Sequence, residues 1–402
     1  MLKGRAIVGQ SGGPTSVINS SLAGVVDACR DVDDVTGVLG MRWAIEGFMA
    51  GEVIDLGREG KPTIKALRRT PGSALGSSRH KLTDADMPVI LDRLREYGIR
   101  TLFMIGGNDT MDTIRRVVEY AGAQGYELCG VGVPKTVDND LYGTDHTPGY
   151  PSAARYVALS VQQAGALARD MQKVDQFVIY QSIGRDAGWL AAAAALAKRD
   201  PDDAPHLIYL PERVFDRERF LADVERAHKD FGYVSIVCGE GIKYADGTPV
   251  SASRTRDKFA NVEYGAMGGT SVALQLHRMI SEAFGWRGEF QITESLCMPA
   301  IDRAVKLDLD EAYECGRAAV RLAAEGPGGA MVTLERQSSD PYRCTTGTAP
   351  LAEVAERAKP MPDEFINAAG NFTTEKFIEY ARPLVGELPA FARLKCARPR
   401  RT

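Results

Sequence analysis

The strongest constraint on this chain is an alternation. Short apolar runs, 5-RAIVGQ-10, 35-VTGVLGM-41, 101-TLFMI-105 and 128-LCGVGV-133, are separated by helix-length amphipathic stretches at about 17–30, 84–97 and 110–122. The pattern continues with a long helix over about 151–171, then runs 177-FVIYQ-181, 206-HLIYL-210 and 234-VSIVC-238 and helices near 187–199, 216–230 and 268–284. Runs that are apolar throughout, spaced by helices, are read as parallel strands buried on both faces. At 402 residues the chain suits two to three domains or one large α/β unit. Thr83, ahead of Asp84 and Asp86, reads as the cap of the helix near 84. The Ser-, Thr- and Pro-rich segment 336–360 reads as loop.

Charge and cysteine usage exclude several classes. A formal charge of −4 argues against a phosphate backbone or anionic bilayer as the main partner, so no nucleic acid and no membrane are expected. The basic end, 393-RLKCARPRRT-402, reads as a solvated tail. Seven cysteines, an odd number with no CxxC pair, suit neither a disulfide framework nor a zinc site and point to a reducing, cytoplasmic setting.

In open α/β sheets ligands collect at the carboxyl ends of the strands. The unusual stretches of this chain fall there: 10-QSGGPTSVIN-19, 105-IGGNDT-110, 133-VPKTVDNDLYGTD-145 and 182-SIGRDAGW-189. Gly12–Gly13 and Gly106–Gly107 each follow a strand and precede a helix, where bare backbone N–H groups and a helix N-terminus suit phosphate. There is no GxxxxGK[ST], and no GxGxxG opens a helix after the first strand, so neither a P-loop nor a dinucleotide fingerprint is present.

The set 11-SGGPTSVIN-19, 76-GSSR-79, 106-GGNDT-110, 134-PKTVDND-140, 184-GRDAGW-189 and 239-GEG-241 resembles the phosphofructokinase A family, and more narrowly its pyrophosphate-dependent branch, over about 1–245. The end, 360-PMPDEFI-366 with 382-RPLVG-386, is similar to that branch too. The resemblance implies two Rossmann-like three-layer αβα domains with mostly parallel sheets. Residues 1–145 with about 262–305 are expected to hold the phosphate donor, and 146–261 with about 306–402 the sugar acceptor. It implies in-line phosphoryl transfer from pyrophosphate, with Mg²⁺, to a sugar hydroxyl, with fructose 6-phosphate as the leading acceptor. It assigns Asp138 as general base, Asp140 and Thr136 as orienting groups, and Arg79 as a neutralising cation. Gly12, Gly13, Gly107, Asp109, Thr110 and Lys135 would bind the donor, and Gly184, Arg185 and Glu240 the acceptor. A homodimer or homotetramer is implied as well. The residue types agree independently: phosphoryl transfer needs positioning, cations on the phosphate oxygens, a metal and a carboxylate at the attacking hydroxyl.

Members using ATP carry glycines where Lys135 and Asp109 stand. A carboxylate at 109 would repel an α-phosphate while an ammonium at 135 grips a shorter donor, so pyrophosphate is expected. The family often has an aspartate in place of Asn108; Asn108 and Asp109 are the expected metal ligands. On the acceptor side Gln176, Ser295 and Met298 stand where the family holds the 6-phosphate with arginine and histidine or tyrosine. Two lost charge-assisted bonds at about 1.5–3 kcal/mol each would weaken a phosphosugar by roughly two to four decades. Lys173, Arg254, Arg256, Lys258 and Arg303 are candidates to substitute. A pyrophosphate-dependent kinase of another sugar or polyol therefore stays open beside the fructose 6-phosphate reading, as does a catalytically weak regulatory homologue. His146 lies near the site segment with no partner that the sequence names.

Overall fold

The computed structural model describes residues 2–251, 270–326 and 328–394. Its first sheet has seven strands in the order β11-β10-β5-β4-β1-β2-β3. These are β1 (Gly4–Gln10), β2 (Val35–Met41), β3 (Val53–Asp55), β4 (Ile99–Gly106), β5 (Cys129–Pro134), β10 (Gly328–Ser339) and β11 (Tyr342–Pro350). The central strands are parallel; β3 and β11 are antiparallel edges. The second sheet is wholly parallel, in the order β7-β8-β6-β9. It contains β6 (Phe177–Ser182), β7 (Leu207–Tyr209), β8 (Val234–Gly239) and β9 (Gly288–Ile292).

Strand residues alternate between two cores. Ala6 and Val8 of β1 pack beneath α1 (Ile18–Cys29) and α10 (Lys306–Glu325). Ile7 faces the opposite layer, with α2 (Ala44–Met49), α4 (Asp86–Glu96) and α5 (Asn108–Ala123). The small α3 (Lys61–Leu67) and α11 (Leu351–Glu356) complete these layers. Around the second sheet, α6 (Tyr150–Asp170), α7 (Trp189–Ala193) and α12 (Glu375–Val385) cover one face. The other face carries α8 (Arg217–Phe231) and α9 (Val272–Phe284). The alanine run that continues α7 is buried and packs against α6. No helix among the described residues is long and apolar enough to cross a membrane.

Three sequence expectations need correction. The domain division fails in the last third: β9 belongs to the second sheet, and β10 and β11 extend the first through β5. Of the expected segments, 262–305 with the donor and 306–402 with the acceptor, the described part of the first lies with the second sheet and residues 306–350 of the second lie with the first sheet. The expected loop at 336–360 holds the end of β10, β11 and then α11; the Thr-rich alternation of β11 suits a half-exposed edge strand despite its polarity. Thr83 does not cap α4; its N–H and hydroxyl donate to Asp86, which accepts them in the first turn.

Candidate active site

Strands β1 and β4 are neighbours, and the helices that follow them, α1 and α5, lie on opposite faces of the sheet. The crevice between their carboxyl ends is the switch point at which doubly wound sheets bind ligands. Both glycine pairs sit there. Gly12 has φ +75°, a conformation costly for a residue with a Cβ. A Cβ on Gly106 would come 2.1 Å from Thr110 Oγ1, so that position admits only glycine beside the buried Thr110. Gly107 stands at the N-cap of α5, and Asn108, Asp109 and Thr110 form the first turn.

Lys135 joins the two glycine loops. Its backbone N–H donates to Gly106 O (3.1 Å), and its Nζ donates to Gly13 O (2.8 Å). A Cβ on Gly12 would lie 3.2 Å from that Nζ. The side chain is buried, and burial pushes its pKa down to about 8, against the attraction of Asp138 and Asp140. Arg79 lies close enough to depress it further. Asp109, by contrast, is exposed, and its carboxylate makes no hydrogen bond or ion pair among the described residues.

The loop after β5 turns sharply at Asn139, whose φ is +57°. Its buried side chain holds that turn: Oδ1 accepts from Thr147 N–H (3.0 Å) and Nδ2 donates to Tyr380 Oη (2.9 Å). On either side, Asp138 and Asp140 are thrown toward the crevice. The Asp138 N–H donates to Thr136 Oγ1 (3.1 Å), which fixes the approach to the turn. Burial, then repulsion by Asp140, pushes the Asp138 carboxyl up to about 6, although Arg185 and Lys135 draw it down. Burial also holds Asp140 above the ordinary carboxylate range. A carboxylate raised in this way is a better proton acceptor at neutral pH.

The second sheet supplies the facing wall. Gly184, at φ +122° just beyond β6, donates its N–H to Glu240 Oε1 (3.2 Å) beyond β8. A Cβ on Gly241 would fall 1.6 Å from Arg185 O, so 184-GR-185 and 240-EG-241 interlock and no larger residue fits. Arg185 and Glu240 both act on or feel the Asp138 charge, which places the two walls around one space. Burial first, then Asp138, raises Glu240 to about 7.

The Arg79 loop is tied down by residues that sequence reasoning missed in part. Gln10, buried at the end of β1, accepts from Ser73 Oγ (2.8 Å) and Leu75 N–H (2.9 Å). Ser77 Oγ donates to Gly12 O (2.5 Å), and Gly12 N–H to Ser78 O (3.3 Å). The half-exposed Trp43 ring lies 2.4 Å from where a Gly76 Cβ would be, so the indole requires glycine there. The 10-QSGG-13 and 76-GSSR-79 stretches already marked Gln10, Gly76, Ser77 and Ser78; Trp43, Ser73 and Leu75 carry no such signal.

Other expected residues fall elsewhere. Gln176 directly precedes β6, about 20 Å along the strand from the site at its far end, so it does not line this chain's own acceptor pocket. Lys173 is exposed at that same remote end. Ser295 is exposed on a short 3-10 turn, 294–297. Met298, just beyond, is the surprise: its methyl lies 2.3 Å from where a Gly13 Cβ would be, and its carbonyl accepts from Ser16 N–H (2.7 Å). It therefore fastens the 294–298 turn to the glycine loop after β1. Arg303 stacks on Tyr156 (4.5 Å) and donates to Ser160 (3.0 Å). Arg254, Arg256 and Lys258 lie outside the described residues. His146, partnerless in sequence, bridges Asp145 (2.9 Å) and Glu311 (2.7 Å).

No cluster of three or more His, Cys, Asp or Glu among the described residues forms a metal cage. Asn108, however, donates Nδ2 to Arg357 O (3.4 Å), and its Oδ1 is left buried without a partner. An orphaned oxygen beside the Asp109 carboxylate suits a hard cation that takes most of its ligands from phosphate and water.

The family pattern described as Phosphofructokinase matches residues 5–293. A Halomonas elongata protein named pyrophosphate–fructose 6-phosphate 1-phosphotransferase is 39% identical over 392 residues, covering 96% of this chain and 92% of the relative. An Alkalicoccus urumqiensis sulfofructose kinase is 35% identical, covering 90% and 92%. The crystal structure of a pyrophosphate-dependent phosphofructokinase from Nitrosospira multiformis superposes with a TM-score of 0.87 at 34% identity, covering 98% of this chain and 94% of that one. With its two glycine loops, its paired aspartates and these relatives, the chain belongs to the phosphofructokinase family.

Proposed function

We propose that the protein moves a phosphoryl group from inorganic pyrophosphate to a sugar hydroxyl, converting fructose 6-phosphate to fructose 1,6-bisphosphate. The observation that carries the donor reading is Lys135. Its ammonium is locked onto Gly13 O against Gly12, in the space where a longer donor's inner phosphate would need bare backbone. Pyrophosphate would lie across the two glycine loops, its oxygens facing Lys135, Arg79 and the start of α5. Asp138 would take the proton of the attacking hydroxyl as the bond to phosphorus forms, and Asp140 would keep that base in place. Thr136, Gly107 and Thr110 would shape the donor wall, and Gly184, Arg185 and Glu240 the acceptor wall. Mg²⁺ would be held by Asn108 Oδ1, Asp109 and the donor's own oxygens, and would neutralise charge on them. Expulsion of water when the acceptor seats would strengthen each of these interactions.

The test is a pair of initial-rate series with Mg²⁺ and fructose 6-phosphate, one with pyrophosphate and one with ATP. Faster turnover with pyrophosphate supports the reading, and faster turnover with ATP refutes it.

A second reading concerns the acceptor. Met298 places an apolar side chain between the walls, and neither Ser295 nor Gln176 brings a cation to this pocket. That favours a distal group of lower charge than a phosphate dianion. Assay of fructose 6-phosphate against 6-deoxy-6-sulfofructose and unphosphorylated hexoses separates the two. Assembly as a homodimer or homotetramer belongs to the same proposal; sedimentation at assay concentration tests it.

A further inference from the structure

Segment 357–359 joins α11 to the C-terminal part of the chain and crosses directly behind the catalytic loop. Ala358 pairs with Leu141 in an antiparallel bridge, and Lys359 N–H donates to Asp140 O (2.7 Å). Arg357 Nη1 donates to Tyr142 Oη (3.1 Å), its guanidinium over the same ring (5.1 Å). The Arg357 carbonyl accepts from Asn108 Nδ2 (3.4 Å). Three consecutive residues thus contact both the start of α5 and the loop that carries Asp138 and Asp140.

Lys359 gives this crossing its strength. Its ammonium reaches Asp145 O (2.7 Å), Thr144 O (3.3 Å) and Asn139 Oδ1 (3.4 Å), with the Trp189 ring at 4.9 Å. Burial pushes its pKa down to about 7, Asp145 and Asp140 draw it back up, and Arg336 lowers it. A primary ammonium has three donors, and here three oxygens of one loop receive them. Asn139 holds the turn between the two aspartates, so a cation that binds its side-chain oxygen also sets the angle between them. Taking an ammonium out of water is costly, and the three oxygens that receive it offset that cost only while the loop keeps this shape.

We propose that 357–359 is a strap that holds the donor loop and the catalytic loop in register, with Lys359 the residue that positions Asp138 and Asp140 for phosphoryl transfer. Lys359 touches no reacting atom; it acts through Asn139 and the carbonyls of 144 and 145. This rests on the pyrophosphate-dependent reading above for its assay, but not for its structural half.

The experiment compares the parent with K359M and K359R, measuring kcat, KM for pyrophosphate, and hydrogen exchange of amides 138–147 in the unliganded protein. A misplaced constellation of about 1 Å costs about 100-fold. K359M is expected to lose about 100-fold in kcat, keep KM for pyrophosphate within about threefold, and exchange the loop amides at least about tenfold faster. K359R, which restores the charge with a bulkier head, is expected to recover kcat to within about tenfold of the parent. Parent-like kcat in folded K359M, a loss that falls on KM instead, or no recovery in K359R would each overturn the proposal. If K359M does not fold, K359Q takes its place with the same readouts: an approximately 100-fold kcat loss at constant KM supports the strap, and a parent-like rate overturns it. If the parent itself does not turn over pyrophosphate, the functional reading fails while the exchange of 138–147 still tests the strap.

Discussion

Replacing Asp138 by asparagine is expected to abolish turnover and, at neutral pH, to make the protein more stable. In the folded chain the Asp138 carboxyl titrates at about 6, against 3.8 for a free side chain. Burial and the neighbouring Asp140 outweigh the attraction of Lys135 and Arg185. A folded pKa above the unfolded one means that the folded state binds the proton more tightly. Above about pH 6 both states are ionised and the folded state carries the whole cost of the desolvated charge; below 3.8 both are protonated and the cost is gone. At about 1.36 kcal/mol per pKa unit, the shift from 3.8 to about 6 amounts to about 3 kcal/mol at pH 7. The residue is partly exposed, and solvent screening discounts this to about 1–2 kcal/mol. A carboxamide has the same shape as the carboxylate without its charge, so D138N should gain that amount at pH 7 and about a third of it at about pH 4.5. In melting temperature the gain is about 2–4 °C per kcal/mol. Urea and thermal unfolding of both proteins at these two pH values, beside the turnover assay, decide the matter. A variant that is no more stable than the parent at neutral pH, or whose gain grows toward acid, refutes the electrostatic account of the site. A variant that retains parent-like kcat refutes the base assignment.

Two further substitutions probe the loop. Burial disfavours a charged His146, but the hydrogen bonds to Asp145 and Glu311 outweigh it and its pKa is raised. The stability it contributes is therefore complete below 6.5 and is lost as pH rises through its folded pKa; H146Q should flatten unfolding free energy against pH above 6.5, and an unchanged slope counts against the pair. N139A removes the acceptor for Thr147 N–H and forces a Cβ without a compensating side-chain bond into the left-handed region, for about 2–4 kcal/mol together. N139G keeps the backbone shape, so it should be about 1 kcal/mol more stable than N139A in urea unfolding; equal midpoints would remove backbone strain from the explanation.

The layered fold was legible because its signal is local. An apolar strand followed by an amphipathic helix declares itself within about thirty residues, and parallel strands joined by helices have few alternative arrangements. What misled was partnership across distance. The part of the 328–350 hairpin from 336 on reads as polar loop because one of its faces is exposed, and the attachment of β10 to β5 depends on strand contacts nearly 200 residues away in sequence. Nothing near β9 states that it pairs with β6 rather than with the first sheet.

The site divides in the same way. Glycine loops and the 134–140 run are dense, contiguous and chemically odd, so sequence exposes them. The groups that hold them in place are single ordinary residues: Gln10 at a strand end, Met298 after a short turn, Lys359 in a Pro-rich stretch. Each acts on a segment far from itself in the chain, Gln10 on 73–75, Met298 on 13–16 and Lys359 on 139–145. A lysine in a charged stretch is ordinarily a solvated surface group. Only the fold shows that this one is drawn in against the loop that carries Asp138 and Asp140. Chemistry is written in the residues that meet the substrate. The precision of that chemistry is written in residues whose role exists only once the chain has closed.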